Sequence, residues 1–74
     1  MTMEERVGLA RQLQPLLRGD VVGLAYARET LHAMRPDLAL QIDGMEASRI
    51  LRWAGFTRDY SRPVGAPLYR RNAA

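Results

Sequence analysis

The apolar pattern of this 74-residue chain changes its period at Gly55. Before this glycine, Ile50, Leu51 and Ala54 recur at the spacing that places them on one side of an α-helix. After it, residues 56–62 alternate in polarity and are rich in β-forming side chains, as in a strand. Because the two patterns follow each other directly in a chain this short, the sequence predicts one α+β domain.

The helix before Gly55 has the clearest boundaries in the chain. Asp43, followed three residues later by Glu46, forms a capping-box pattern that starts a helix over about residues 44–54. Gly55 stands where a C-terminal cap belongs. We therefore expect a well-defined helix with one apolar face.

Two further helices are expected upstream. Residues 2–5 form another capping box, and the helix that they start ends or kinks at Pro15. Asp20 is positioned to cap a second helix over about 21–35, which Pro36 stops because the residue before a proline avoids helical geometry. The next stretch is predicted to be a single helical turn or an apolar connector.

The end of the chain predicts a β-hairpin. Residues 56–62 and 68–71 are the two strands, and residues 63–67 are the turn, with Gly65 free to adopt a positive φ. Strict alternation places Arg58 and Arg62 on the same face as Phe56. If Phe56 points into the core, these arginines must extend past it to water, or the hairpin must twist.

This order of elements is typical of a winged helix–turn–helix. We expect an α+β fold of about three helices followed by a two-stranded β-hairpin wing, with an extra N-terminal helix. Residues 1–19 form that helix, and residues 20–74 form the winged-helix domain. Since so small a module covers only a short DNA half-site, residues 1–19 are predicted to mediate a homodimer or a larger complex.

The net charge of +3 hides an uneven distribution. All eleven basic residues are arginine. Residues 1–48 contain five of them against seven acidic residues, a net charge of −2, whereas residues 49–74 contain six against one, a net charge of +5. Such asymmetry favours a polyanionic partner, most often nucleic acid, for the basic end. A solvated basic surface with no specific partner is the alternative.

The predicted nucleic-acid-binding residues lie on the helix over about 44–54 and on the hairpin over 56–71. An α-helix fits the major groove of DNA, and a hairpin beside it can contact phosphates or the minor groove. The helix offers Ser48, Arg49 and Arg52, and the wing offers Arg58, Tyr60, Arg62, Arg70 and Arg71. We expect double-stranded DNA rather than RNA. A non-catalytic module that docks an acidic protein partner is the alternative.

Residues 44–71, GMEASRILRWAGFTRDYSRPVGAPLYRR, also show a family pattern. A leucine-containing helix end, Gly55-Phe56, alternating arginines, a central Gly65 and the aromatic Tyr69 resemble the C-terminal winged helix of phage and plasmid primase–helicases of the poxvirus-like and virulence-associated E types. This sequence contains no counterpart of the ATPase and primase cores of that family. Its residues 1–19, in turn, have no counterpart in the family domain. The resemblance therefore implies a detached nucleic-acid-binding module, a regulator or replication accessory rather than an enzyme.

The remaining residues predict no catalytic or metal chemistry. The chain has no cysteine and only one histidine, His32, which is expected to be structural. Its carboxylates are explained as caps and first-turn charges, and it contains no phosphate-binding loop and no candidate triad. We expect no enzyme activity, no cofactor and no metal. Because no run approaches about 20 apolar residues, we also expect a cytoplasmic protein without a membrane partner.

Overall fold

A computed structural model describes residues 1–61, 65 and 67–73 of the chain. Its α-helices are α1 (Met3–Leu13), α2 (Leu24–Met34) and α3 (Gly44–Trp53). Its strands are β1 (Val21–Gly23), β2 (Phe56–Arg58) and β3 (Leu68–Arg71), and two 3-10 helices span Gln14–Leu16 and Pro36–Gln41. The α+β winged helix–turn–helix expected from the sequence is confirmed. Within these residues, no helix is long and apolar enough to cross a bilayer.

The first helix begins and ends as its sequence predicts. The Thr2 side chain accepts a hydrogen bond from the Glu5 backbone N–H, and the Glu5 carboxylate accepts one from the Thr2 N–H, which lowers the pKa of Glu5. The helix ends at Leu13, because Pro15 directs the chain into a 3-10 turn. Its buried residues are Leu9, Ala10 and Leu13, so α1 belongs to the same core as the rest of the chain.

The segment before α2 differs from the prediction. Residues 21–23 form strand β1 rather than the first turn of a helix, and α2 begins only at Leu24. Its N-cap is Gly23, so the prediction that Asp20 caps this helix is wrong. The connector after Pro36 is a 3-10 helix, in agreement with the predicted helical turn.

The three strands form one antiparallel sheet in the order β1-β3-β2. Tyr69 in the central strand pairs with Val22 on one side and with Arg58 on the other. The wing is therefore a hairpin extended by a third strand, which the sequence analysis placed in a helix.

The core lies between the three helices and one face of the sheet. Helix α3 is central to it, because its buried side contacts both α1 and α2. Its apolar residues Ala47, Ile50, Leu51 and Ala54 are all buried, as their spacing predicts. From the sheet, Val22, Phe56 and Tyr69 complete this core. Helix α3 is thus held with its opposite side facing outward.

The hairpin strands are shorter on one side than predicted. Strand β2 ends at Arg58, although the Asp59 N–H still donates to the Leu68 carbonyl, and Tyr60 and Ser61 already form a turn. Gly65 adopts a φ of +107°, which confirms the left-handed conformation expected there. Of the other predicted turn residues, Pro63, Val64 and Ala66 lie outside the described residues, whereas the Pro67 carbonyl accepts a hydrogen bond from the Leu24 N–H.

Candidate nucleic-acid interface

The outward side of α3 is formed by the residues that its buried stripe leaves free. Arg49 and Arg52 are exposed opposite the apolar stripe, and Ser48 is partly buried at its flank. Two large apolar side chains share this surface, since Met45 is 66% exposed and Trp53 is 56% exposed. Helix α3 therefore presents guanidinium groups and apolar side chains together.

Arg49 is oriented by a buried carboxylate. Glu46 is only 6% exposed, and Arg6 of α1 donates two hydrogen bonds to it, from Nε at 3.1 Å and Nη2 at 2.7 Å. The hydrogen bonding to Glu46 raises the pKa of Arg6. The same carboxylate lies 3.7 Å from Arg49 Nη1. The Glu46 N–H donates to Asp43 as predicted, but its side chain binds Arg6 instead of completing a capping box.

A hydrogen bond joins α3 to the sheet. The Ser48 and Tyr69 hydroxyls form it, with either group able to donate. Arg58 is the partner of Tyr69 across the β2–β3 ladder, and directly paired residues lie on the same face of a sheet. Arg58 is therefore on the sheet face that packs against α3, at the end of the wing.

Arg58 lies on the core side of the sheet, with its guanidinium beside an exposed aromatic ring. It is half-buried, and its Nε is buried without a hydrogen-bond partner in the described part of the chain. Its guanidinium carbon lies 5.2 Å from the centre of the Tyr60 ring, and Tyr60 is 78% exposed. Arg58 and Tyr60 thus form one cationic and aromatic pair on the wing.

Arg70 lies on the other face of the sheet. It pairs with Thr57 and Val21, and its Nη2 donates to Asp59 Oδ2 at 3.1 Å. The Ser61 hydroxyl and backbone N–H bind the Asp59 carboxylate as well, and together with Arg70 they lower its pKa from 3.8 to about 2. Arg70 therefore stabilises the turn of the hairpin and is turned away from α3.

Arg71 is held within the fold. Its Nη2 donates to the Leu17 carbonyl at 2.8 Å and its Nε to the Gly19 carbonyl at 3.3 Å, and its guanidinium lies 4.7 Å from the centre of the Phe56 ring. These contacts connect β3 to the segment between α1 and β1. The donors on these two nitrogens are thus engaged with the protein itself.

The eight predicted residues are therefore not one cluster. Ser48, Arg49 and Arg52 share α3, and the Ser48–Tyr69 bond joins this helix to the strand that Arg58 pairs with. Arg58 and its contact Tyr60 form what we call the near side of the wing, and they line one open pocket with Arg70 and Arg71. Arg70 lies on the opposite sheet face, and Arg71 contacts the α1–β1 segment. Arg62 lies outside the described residues.

Arg28 is an exposed cation outside the set of binding residues predicted from the sequence. It lines a cleft with the first residues of α2 and α3 and with Pro67 at the base of the wing. It has no carboxylate partner within 4 Å in the described part of the chain, and neither do Arg52 and Arg58. Arg28 precedes Glu29 in the acidic half of the chain, so charge counting gave no signal for it.

No protein family, curated protein or solved structure matches this chain. The resemblance to primase–helicase C-terminal domains stays a prediction. The described residues contain no group of three or more histidine, aspartate or glutamate side chains that could hold a metal ion. His32 Nε2 lies 2.7 Å from the Ile42 carbonyl, where an N–H donates to it and ties α2 to the connector before α3.

Proposed function

We propose that this protein binds double-stranded DNA through α3 and the near side of its wing, as a regulator or replication accessory. The observation on which this rests is the bond between Ser48 of α3 and Tyr69 of the wing, because it joins the helix that carries Arg49 and Arg52 to the strand that Arg58 pairs with. A helix of this kind fits the major groove, while the wing beside it reaches the phosphates of the flanking backbone.

The charges of this surface favour a polyanion. Arg52 and Arg58 have no carboxylate partner among the described residues, and the charge of Glu46 beside Arg49 is already neutralised by Arg6. Unpaired guanidinium groups can displace the counterions that surround a phosphate backbone, and this release drives most of non-specific DNA affinity. Arg28 adds a further exposed positive charge near the N-terminus of α3.

A salt-varied anisotropy titration with a random duplex tests the proposal. With roughly three to five phosphates contacted, log K should fall with log salt at a slope of about −3 to −4. Arg52→Ala or Arg58→Ala should each lower the affinity and reduce the magnitude of the slope by about one. The matched control is Arg11→Ala on the exposed side of α1, which removes the same charge and should leave the slope close to that of the wild type.

The same titration also gives the results that would contradict the proposal. Absence of duplex binding at low salt contradicts the proposal, as does an equal loss for Arg11→Ala and Arg52→Ala. Tighter binding to a random single strand would retain the interface but contradict the duplex assignment.

The second candidate function is docking of an acidic protein partner. Met45 and Trp53 favour it, because exposed methionine and tryptophan side chains beside arginine are enriched at protein interfaces. A nuclease-insensitive complex with one acidic protein, lost on Trp53→Ala, together with no duplex binding, would establish this function instead.

A further inference from the structure

Met45 is an apolar side chain at the N-terminal end of the proposed DNA-binding face on α3. It lies in the first turn of α3, it is 66% exposed, and Arg49 and Arg52 follow it along the same side of the helix, one and two turns later. Residues near the N-terminus of a recognition helix are the ones that contact base edges. A duplex seated on α3 would therefore meet the thioether of Met45 among guanidinium groups.

The major groove offers few partners for such a side chain. Its base edges present hydrogen-bond donors and acceptors, and the C5-methyl of thymine is the one apolar group among them. A cytosine methylated at C5 displays the same group at the same ring position. An apolar side chain placed among base edges is thus matched by a 5-methylpyrimidine and by no other base.

The neighbour of Met45 specifies what lies next to that methyl group. Arg49 Nη2 is 3.6 Å from Met45 Sδ, and Arg49 Nη1 is 3.7 Å from the buried Glu46 carboxylate, so the guanidinium is held beside the thioether. Arginine most often pairs with O6 and N7 of guanine. Successive bases are about 3.4 Å apart, so the separation of the two groups matches the spacing of adjacent bases.

We propose that α3 recognises a 5-methylpyrimidine, thymine or 5-methylcytosine, adjacent to guanine. Met45 contacts the methyl group, Arg49 contacts the guanine, and Glu46 with Arg6 positions Arg49. This specificity rests on the proposed duplex binding, and it adds a sequence preference to contacts that otherwise go to phosphates.

The test starts from selection on a random duplex pool. Enrichment of a thymine next to guanine is expected, and the enriched duplex is then resynthesised with deoxyuridine at that thymine, which removes only the methyl group. Affinity should fall about fourfold, the value for one apolar carbon taken out of contact. A duplex with a cytosine–guanine pair at the same position should bind more tightly when that cytosine is methylated at C5. Comparison of the two pairs of duplexes shows whether the protein recognises the methyl group of thymine, of 5-methylcytosine, or of both.

Variants assign the effect to Met45. Met45→Ala should bind the thymine and deoxyuridine duplexes equally, Met45→Leu should retain the preference, and Met3→Ala, at an exposed methionine of α1, should behave as the wild type. Arg49→Ala should reduce the ratio of affinities for duplexes with and without the adjacent guanine by about tenfold. Because Met45 is exposed, circular dichroism should show unchanged folding.

Two results separate the failure of this inference from that of duplex binding. Salt-dependent duplex binding without enrichment of a 5-methylpyrimidine, or with equal affinity for thymine and deoxyuridine, overturns the specificity alone. Absence of duplex binding at any salt concentration overturns both proposals.

Discussion

Arg6 of α1 and Glu46 of α3 form a two-hydrogen-bond ion pair 40 residues apart in the chain, and the carboxylate in this pair is buried. The pair fixes the first helix against the helix whose outward face we propose to bind DNA. It also leaves Glu46 in contact with Arg49, so one carboxylate serves both the packing of α1 and the orientation of a candidate binding residue.

Replacement of Arg6 should separate geometry from charge. Arg6→Lys retains the charge but cannot make both bonds at once, and Arg6→Met leaves a buried carboxylate without a strong partner. We expect the melting temperature to decrease in the order wild type, Arg6→Lys, Arg6→Met. Arg11→Met, on the exposed side of the same helix, is the control and should melt with the wild type. Equal melting of Arg6→Met and Arg11→Met would show that the ion pair contributes nothing to folding.

Shortening Leu13 should show that α1 is part of the core. Its side chain is fully buried, so Leu13→Ala should destabilise the protein by about 2–4 kcal/mol in urea unfolding. Leu16→Ala, at a half-exposed leucine three residues later, should cost less than about 0.5 kcal/mol. A fragment starting at residue 20 should then lose cooperative unfolding. A fragment that unfolds like the full chain would contradict the shared core.

This packing limits how residues 1–19 could mediate assembly. The three buried residues Leu9, Ala10 and Leu13 are used within the chain, so a dimer contact through α1 has only its exposed side available. The prediction of an assembly role stays a prediction.

The elements that the sequence predicts correctly are those whose determining signal is local. Asp43 and Gly55 mark the ends of α3 within one turn of the helix that they bound, and its apolar stripe follows from spacing alone. Pro15 and Pro36 likewise mark the ends of α1 and α2.

Distant contacts explain what the sequence did not predict. Strand β1 has three residues, too few to show alternation, and it is a strand only because Val22 pairs with Tyr69 of β3. Glu46 has the spacing of a capping box, but its partner Arg6 lies 40 residues earlier in the chain. Alternation separates Arg70 from Arg58, whereas no local pattern indicates which carbonyls Arg71 would bind.

The turn of the hairpin should respond to acid through Asp59. Its folded pKa of about 2 lies below the ordinary 3.8, so the ionised carboxylate stabilises the fold above about pH 4, and this contribution is lost as the pH falls towards about 2. Ser61→Ala removes the hydroxyl donor, so the pKa of Asp59 should rise towards 3.8. A carboxyl-detected NMR titration measures this change. Asp37, whose pKa is lowered by Arg35, should titrate alike in both proteins and serves as the control.

Arg71 and Arg52 should differ in what their removal changes. Arg71 donates to the carbonyls of Leu17 and Gly19, and hydrogen bonds from a charged donor contribute about 1–3 kcal/mol, so Arg71→Ala should lower the free energy of unfolding by about that amount. Arg52 is exposed and has no ion-pair partner among the described residues, so Arg52→Ala should change stability by less than about 0.5 kcal/mol.

Duplex binding should show the reverse order for these two arginines. At a temperature where both variants are folded, Arg52→Ala should reduce the magnitude of the salt slope by about one, while Arg71→Ala should leave it unchanged because its donors already bind backbone carbonyls. Urea unfolding and a salt-varied titration on the same preparations measure both quantities. A reduced slope for Arg71→Ala at full folding would mean that this guanidinium leaves its carbonyl partners for a phosphate. The interface would then include the end of β3.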